Sequence, residues 1–221
     1  MGNTHSTLPQ ILLDNVRKYS KDKIAIREKD LGIWQSYSWP DYYENTKKFA
    51  LGLASLGFQG GDRLSVIGDN RPQLYWAQMA ALCLGGIPVP LYQDAIEKEL
   101  EYIIEHSEAK FIVAEDQEQV DKMLALKEKV PSMEMIIYDD PRGMRHYNQP
   151  FIKSFTEVQA LGLKFEEDHP GFFEQEVQTM KVGVGGYKKL FFFSLEAQPE
   201  KKIRAVHLID LGDKGTDDFP L

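Results

Sequence analysis

The chain is poor in several things, and each shortage narrows its chemistry. It has one cysteine, Cys83, in 221 residues. An intramolecular disulfide is therefore excluded, and a lone Cys in an apolar stretch reads as a small buried hydrophobe of a reducing compartment. No run of about 18 apolar residues occurs, the length that a membrane-crossing helix needs. The most apolar stretch, Tyr75 to Leu91, is broken by Gln78, Gly85, Gly86, Pro88 and Pro90. Positive charge is also short: the net charge of −8 argues against a general electrostatic grip on nucleic acid, which needs a basic face. The histidines, His5, His106, His146, His169 and His207, show no metal-ligand spacing with one another or with Cys83. Met1 to Ser6 lacks the basic start and apolar centre of a secretory signal. It fits the loose Met-Gly-x-x-x-Ser/Thr myristoylation pattern, but reads more simply as a polar terminus.

What is present is enough apolar material for a core, 43% of residues. Its periodicity alternates between that of helices and that of strands. Leu8 to Tyr19 reads as a helix. Lys23 to Glu28 and Ile33 to Ser38 flank Asp30-Leu31-Gly32 and read as a hairpin. Ser38 caps a long helix with Pro40 in its first turn and Tyr42, Thr46, Phe49, Ala50, Leu53 and Leu56 as its stripe. Strands follow at Arg63 to Gly68, Ile87 to Leu91, Lys110 to Ala114 and Glu134 to Tyr138. Helices separate them at about Pro72 to Leu84, Ile96 to Ser107 and Gln117 to Lys129. The helix over Pro72 to Leu84 is apolar nearly all round, which predicts burial. Strands alternating with helices predict an α/β fold, a mostly parallel sheet covered on both faces.

After Tyr138 the pattern thins. Asp139 to Pro150 reads as a polar loop, and Ser154 to Leu161 and Asp168 to Gln175 as two short helices. From about Gln178 the composition changes. Residues 178–221 carry seven basic and six acidic residues, so the acidity lies upstream. This tail offers two candidate strands, Lys189 to Leu195 and Arg204 to Asp210. Its glycine-rich run Gly183-Val184-Gly185-Gly186-Tyr187-Lys188-Lys189 has no Ser or Thr and does not fit a P-loop.

Three clusters invite a functional reading. Asp69-Asn70-Arg71 and Tyr92-Gln93-Asp94 each follow a predicted parallel strand, where ligands of open α/β sheets gather. Helix capping explains the first more simply, and a turn the second. Asp139, Asp140, Arg142, Arg145 and His146 share one loop, and a solvated loop explains them too. Trp76 and Met79 read as core, and Cys83 has no neighbour that would make it a nucleophile. The residues alone assign no catalytic, cofactor-binding or metal site.

Five segments in register carry a resemblance. They are Tyr37-Ser38-Trp39-Pro40-Asp41-Tyr42, Leu53 to Phe58 with Gly61-Asp62-Arg63-Leu64, Ile67 to Pro72, Leu84 to Tyr92, and Asp139 to Gly143 with Phe165 to Val177. Residues 7–177 resemble the N-terminal part of long-chain fatty-acid–CoA ligases of the adenylate-forming, AMP-binding superfamily. The resemblance implies the first subdomain of the synthetase fold. It also implies a family chemistry: carboxylate attack on the α-phosphate of ATP with Mg²⁺, then displacement of AMP by CoA. In that family a Ser/Thr/Gly-rich phosphate loop follows the point matching Val177, and a later domain supplies a lysine. Residues 178–221 do not match that pattern, and read as a divergent tail, frameshifted or otherwise aberrant. The expectation is thus a ligase fragment inactive by itself, cytoplasmic or peripheral at a membrane. The rival readings are half of a split synthetase completed by a partner chain, and a non-catalytic nucleotide- or acyl-binding module.

Overall fold

A computed structural model of the protein describes residues 7–19 and 21–180. The expected tail strands and the glycine-rich run lie outside the described residues. Helix α1, Leu8–Lys18, opens on a capping box between Thr7 and Gln10. The hairpin pairs β1, Ile24–Asp30, with β2, Ile33–Ser38, antiparallel. Its two turn residues, Leu31 and Gly32, both have positive φ, 46° and 83°. Such a turn suits Asn-Gly, and a leucine there is strained. Ser38 then caps α2, Trp39–Ser55, in a second capping box with Asp41. Here the sequence reading and the structure coincide, because the cap is decided by neighbours three residues apart.

Five parallel strands follow in the order β4-β3-β5-β6-β7. They are β3, Arg63–Ile67; β4, Ile87–Leu91; β5, Phe111–Ala114; β6, Met135–Tyr138; and β7, Ile152–Ser154. Between them run α3, Pro72–Cys83; α4, Glu97–Ser107; and α5, Gln117–Leu126. The chain then ends its described part with α6, Phe155–Asp168, and α7, Phe172–Thr179. The architecture is the expected one, a mostly parallel sheet flanked by helices with an antiparallel hairpin beside it.

Strand alternation sends side chains into two cores. Leu64, Val66, Phe111, Val113 and Ile137 meet α2, α3, α6 and α7 on one face. Ile67, Val89, Ile112, Ala114 and Ile136 meet α4 and α5 on the other. Edge strand β4 holds its own protection. Ile87 N–H bonds to Asp62 of the neighbouring strand's approach, so Pro88 and Pro90 fall where N–H groups would face the open edge.

Five details depart from the sequence reading, the first being α7, which starts four residues later than the expected Asp168-to-Gln175 helix. The loop Asp139 to Pro150 contains a 3₁₀ turn, Met144–His146, that buries Met144. Strand β7 was not foreseen, being three residues without a readable period. Helix α6 continues well past Leu161, through Gly162, to Asp168. Helix α5 ends earlier than Lys129: Lys129 and Val130 N–H both turn back to the Leu126 carbonyl, and Pro131 bars a further helical turn.

Candidate functional site

The strand order reverses at β3, which has β4 on one side and β5 on the other. Helices leave from opposite faces there, and the crevice opens at the carboxyl ends of β3 and β5. Gly68 leaves β3 with φ of 146°. A Cβ on Gly68 would collide with the Cβ of Glu115, and would lie 2.8 Å from its Oε2. Glycine thus lets the two strand ends close on each other, and Asp69 N–H donates to Glu115 Oε2 at 2.5 Å.

Arg71 sits over this junction. Its Nε donates to Glu115 Oε1 at 3.0 Å, and its Nη1 to Glu28 Oε2 at 3.3 Å. Tyr37 donates its hydroxyl proton to the other oxygen of Glu28 at 3.0 Å. Asp139 N–H donates to Ala114 carbonyl and Asp140 N–H to Glu115 carbonyl, which brings both acids to the same crevice. Arg142 Nε donates to Asp140 Oδ2 at 2.6 Å and holds that carboxyl below its ordinary range.

Asp139 is the perturbed group. Burial pushes it up, Arg71 pulls it down, and the charges of Asp140, Glu115 and Glu28 push it up again, to about 7. Its folded value lies above its ordinary 3.8, so the folded state holds the proton more tightly. Stability therefore falls as pH rises through the window from 3.8 to about 7. Asp139→Asn is expected to flatten that slope in urea melts and to add about 1–2 kcal/mol above the window. Below the window it should be neutral.

The structure thus gathers Arg71, Asp139, Asp140 and Arg142 from two of the clusters singled out in the sequence. It adds Glu28 and Glu115, which sequence reasoning missed. Glu115 carried one usable signal, its place directly after a predicted strand. The capping role expected of Asp69 and Asn70 is not what the structure has. Arg71 is the N-cap of α3, without a side-chain cap bond. Asn70 instead accepts from the Tyr75 hydroxyl at 3.0 Å, and Asp69 is committed to Glu115 through its N–H. Arg145 and His146 lie exposed on the 3₁₀ turn, away from this ion-pair network. In the Tyr92-Gln93-Asp94 turn, the Gln93 carbonyl accepts from Lys122 at 2.7 Å. Cys83 is buried in α3, its thiol pushed up by burial. Trp76 is core as expected, and half-buried Met79 packs against that core while also lining an open apolar groove of about 480 Å³ with Leu8, Ile11, Trp39, Tyr42 and Tyr75.

The crevice is acidic. Four carboxyls surround it, and the guanidinium of Arg71 already bridges two of them. Among the described residues, no three His, Cys, Asp or Glu side chains are disposed to hold a metal ion. Nor is any described helix long and apolar enough to cross a membrane.

Comparison with known proteins agrees with this architecture. A 4-hydroxybutyrate–CoA ligase of Metallosphaera sedula is 33% identical over 141 residues, which cover 63% of this chain and 25% of that protein. A long-chain-fatty-acid–CoA ligase of Xenopus laevis is 28% identical over 157 residues, 71% of this chain and 21% of that protein. The chain thus spans about a quarter of the length of the curated relatives it matches. Among solved structures, an anthranilate CoA ligase in complex with anthranoyl-AMP superimposes with a TM-score of 0.62 at 17% identity, covering 72% of this chain and 29% of that one. The adenylation and carrier didomain of a Segniliparus rugosus carboxylic acid reductase, in complex with AMP, gives 0.60 at 19% identity, covering 72% and 27%. Residues 12–171 match the family described as AMP-binding enzyme, and with most of its length inside that match this chain belongs to the family.

Proposed function

We propose that residues 1–177 are the first α/β unit of an ATP-dependent long-chain fatty-acid–CoA ligase, that residues 178–221 are a divergent tail, and that this chain forms no acyl-adenylate by itself. The observation that carries the reading is the acidic crevice at the switch of the sheet. The family's chemistry gathers a triphosphate, and here the switch of the sheet presents Glu28, Glu115, Asp139 and Asp140 with Arg71 already engaged. Triphosphate would be repelled rather than held. ATP, Mg²⁺, CoA and a fatty acid are then ligands of the whole enzyme, completed elsewhere or by a complementing chain. The likeness to a long-chain-fatty-acid–CoA ligase supports the acyl class. The reading places the chain in the cytoplasm, in peripheral contact with a membrane.

The test is turnover. The purified chain, given palmitate, ATP, Mg²⁺ and CoA, is expected to release no palmitate-dependent pyrophosphate and no palmitoyl-CoA. Acyl-CoA formation at any rate above the no-enzyme control overturns the reading.

A second reading has its own observation, the apolar groove between α1, the hairpin and α3. It would make the chain a non-catalytic acyl-binding module. Saturable palmitate binding that Met79→Asp abolishes supports it, and absence of palmitate binding removes it.

A further inference from the structure

We propose that the tip and outer face of the β1–β2 hairpin dock on an anionic lipid surface. This deepens the peripheral membrane contact of the reading above by assigning it to named residues. The hairpin pairs only with itself and stands apart from the five-stranded sheet. Its two faces differ. Ile26, Glu28 and Tyr37 form the inner face, where Tyr37 packs edge-on to Trp76 and Glu28 meets Arg71. Arg27 and Lys29, opposite Ser36 and Trp34, form the outer face, and all four are exposed.

The tip is apolar without cover. Leu31 is 88% exposed, Ile33 65% and Trp34 63%. Isolated apolar side chains on a surface need no explanation, but three within four residues of one turn, Ile33 on the inner face and Trp34 on the outer, do. Leu31 also occupies a strained turn position that Asn or Gly would fill more comfortably, so nothing in the fold itself favours a leucine there.

Charge identifies the occupant. The protein is acidic, at −8, yet residues 17–30 hold six basic residues against three acidic ones, Asp30 being at the tip itself. All six basic residues are exposed: Arg27 and Lys29 lie toward the tip, whereas Arg17, Lys18, Lys21 and Lys23 form a collar at the far end of the hairpin. Lys29 Nζ lies 6.0 Å from the Trp34 ring centroid. An exposed Trp beside lysine, flanked by leucine and isoleucine and backed by a basic collar, is the chemistry that seats at the headgroup boundary of an anionic bilayer. A protein partner of the same acidic character as this chain would match the collar too. Shallow insertion of Leu31, Ile33 and Trp34 is what favours lipid.

The full 221-residue chain is tested by co-sedimentation with vesicles of phosphatidylcholine, with and without phosphatidylserine. Binding is expected on the phosphatidylserine vesicles and is expected to weaken with salt. Leu31→Asn keeps a residue that tolerates the turn, so its fold is retained, and with Trp34→Ser it is expected to weaken binding about tenfold or more. Arg27→Gln with Lys29→Gln should weaken it by a similar factor, on the anionic vesicles only. Binding that is equal in all these variants overturns the hairpin assignment and leaves peripheral contact standing through another surface. Wild-type chain that binds neither vesicle overturns both. Self-association in the absence of lipid, abolished by Leu31→Asn, would make the tip a contact between copies and also overturns the proposal.

Discussion

Replacing Gly162 by alanine is expected to cost the fold about 3 kcal/mol, far beyond what a one-carbon addition suggests. The reason is the crossing of α2 and α6. A Cβ on Gly162 would penetrate the Lys48 carbonyl oxygen and lie 2.8 Å from the Gly52 backbone nitrogen. A Cβ on Gly52 would likewise run into the Val158 carbonyl. Both obstacles are backbone, so a rotamer change cannot clear them and the helices must move apart. That movement would open the stack of Phe49 on Phe155, now 4.0 Å between centroids and 7° from parallel. It would also stretch the polar clasp beside the seam, where Lys47 reaches Glu174 at 2.8 Å and Tyr43 donates to the same carboxylate at 2.5 Å. Burial pushes Glu174 up, but those two donors hold it below its ordinary value, so the clasp is charged and intact at neutral pH. Alanine's gain of about 1 kcal/mol in helix propensity does not offset the separation. Urea melts check this: Gly162→Ala and Gly52→Ala should each lower the midpoint strongly, and the double variant should lose less than the sum, because one separation relieves both clashes. Leu163→Ala, at a half-exposed neighbour, should stay within about 0.5 kcal/mol of the parent. A Gly162→Ala midpoint equal to the parent's would show that the helices do not cross in contact.

Loss of Arg71 is the second large effect. Glu28 and Glu115 have side chains only 12% and 13% exposed, and Arg71 itself is 30% exposed. Arg71→Met leaves these acids, with Asp139, facing each other without a cation. Removing one partner of a buried pair costs about 3–5 kcal/mol, and partial solvent screening here reduces that to about 2 kcal/mol. The loss should depend on pH. Arg71 draws Asp139 down, so its removal lets that carboxyl rise further. Protonation on the acid side then relieves the repulsion, and the deficit of Arg71→Met should shrink as pH falls from 8 toward 5, within about the span of the carboxyl titrations. Urea melts at both ends of that range measure it. A deficit that is constant with pH would mean that the arginine acts by packing alone.

The sequence exposed the layers of the fold more readily than the crevice within it, and the reason is range. Capping boxes, hairpin turns and apolar stripes are written within a few residues, so the Ser38 cap, the Leu31-Gly32 turn and the strands β3 to β6 were legible. Arg71 finds Glu28 and Glu115 across 43 and 44 residues, and no periodicity carries such a pairing. Asp69 and Asn70 misled for the same reason. Their type favours caps, but the approach of Glu115 takes the Asp69 N–H, and Tyr75 takes Asn70. Gly162 was invisible as a contact residue because a glycine within a helix announces a weak point, not the partner that requires it. The sequence pattern places the end of helix α6 at Leu161, seven residues short of Asp168.

The most direct test of the account is a calorimetric titration of Mg²⁺-ATP into the full chain. An acidic crevice whose arginine is already paired predicts no saturable heat up to about 1 mM nucleotide, a range that covers even weak sites. Saturable binding that Arg71→Met abolishes would contradict it, and would place a nucleotide at the switch of the sheet.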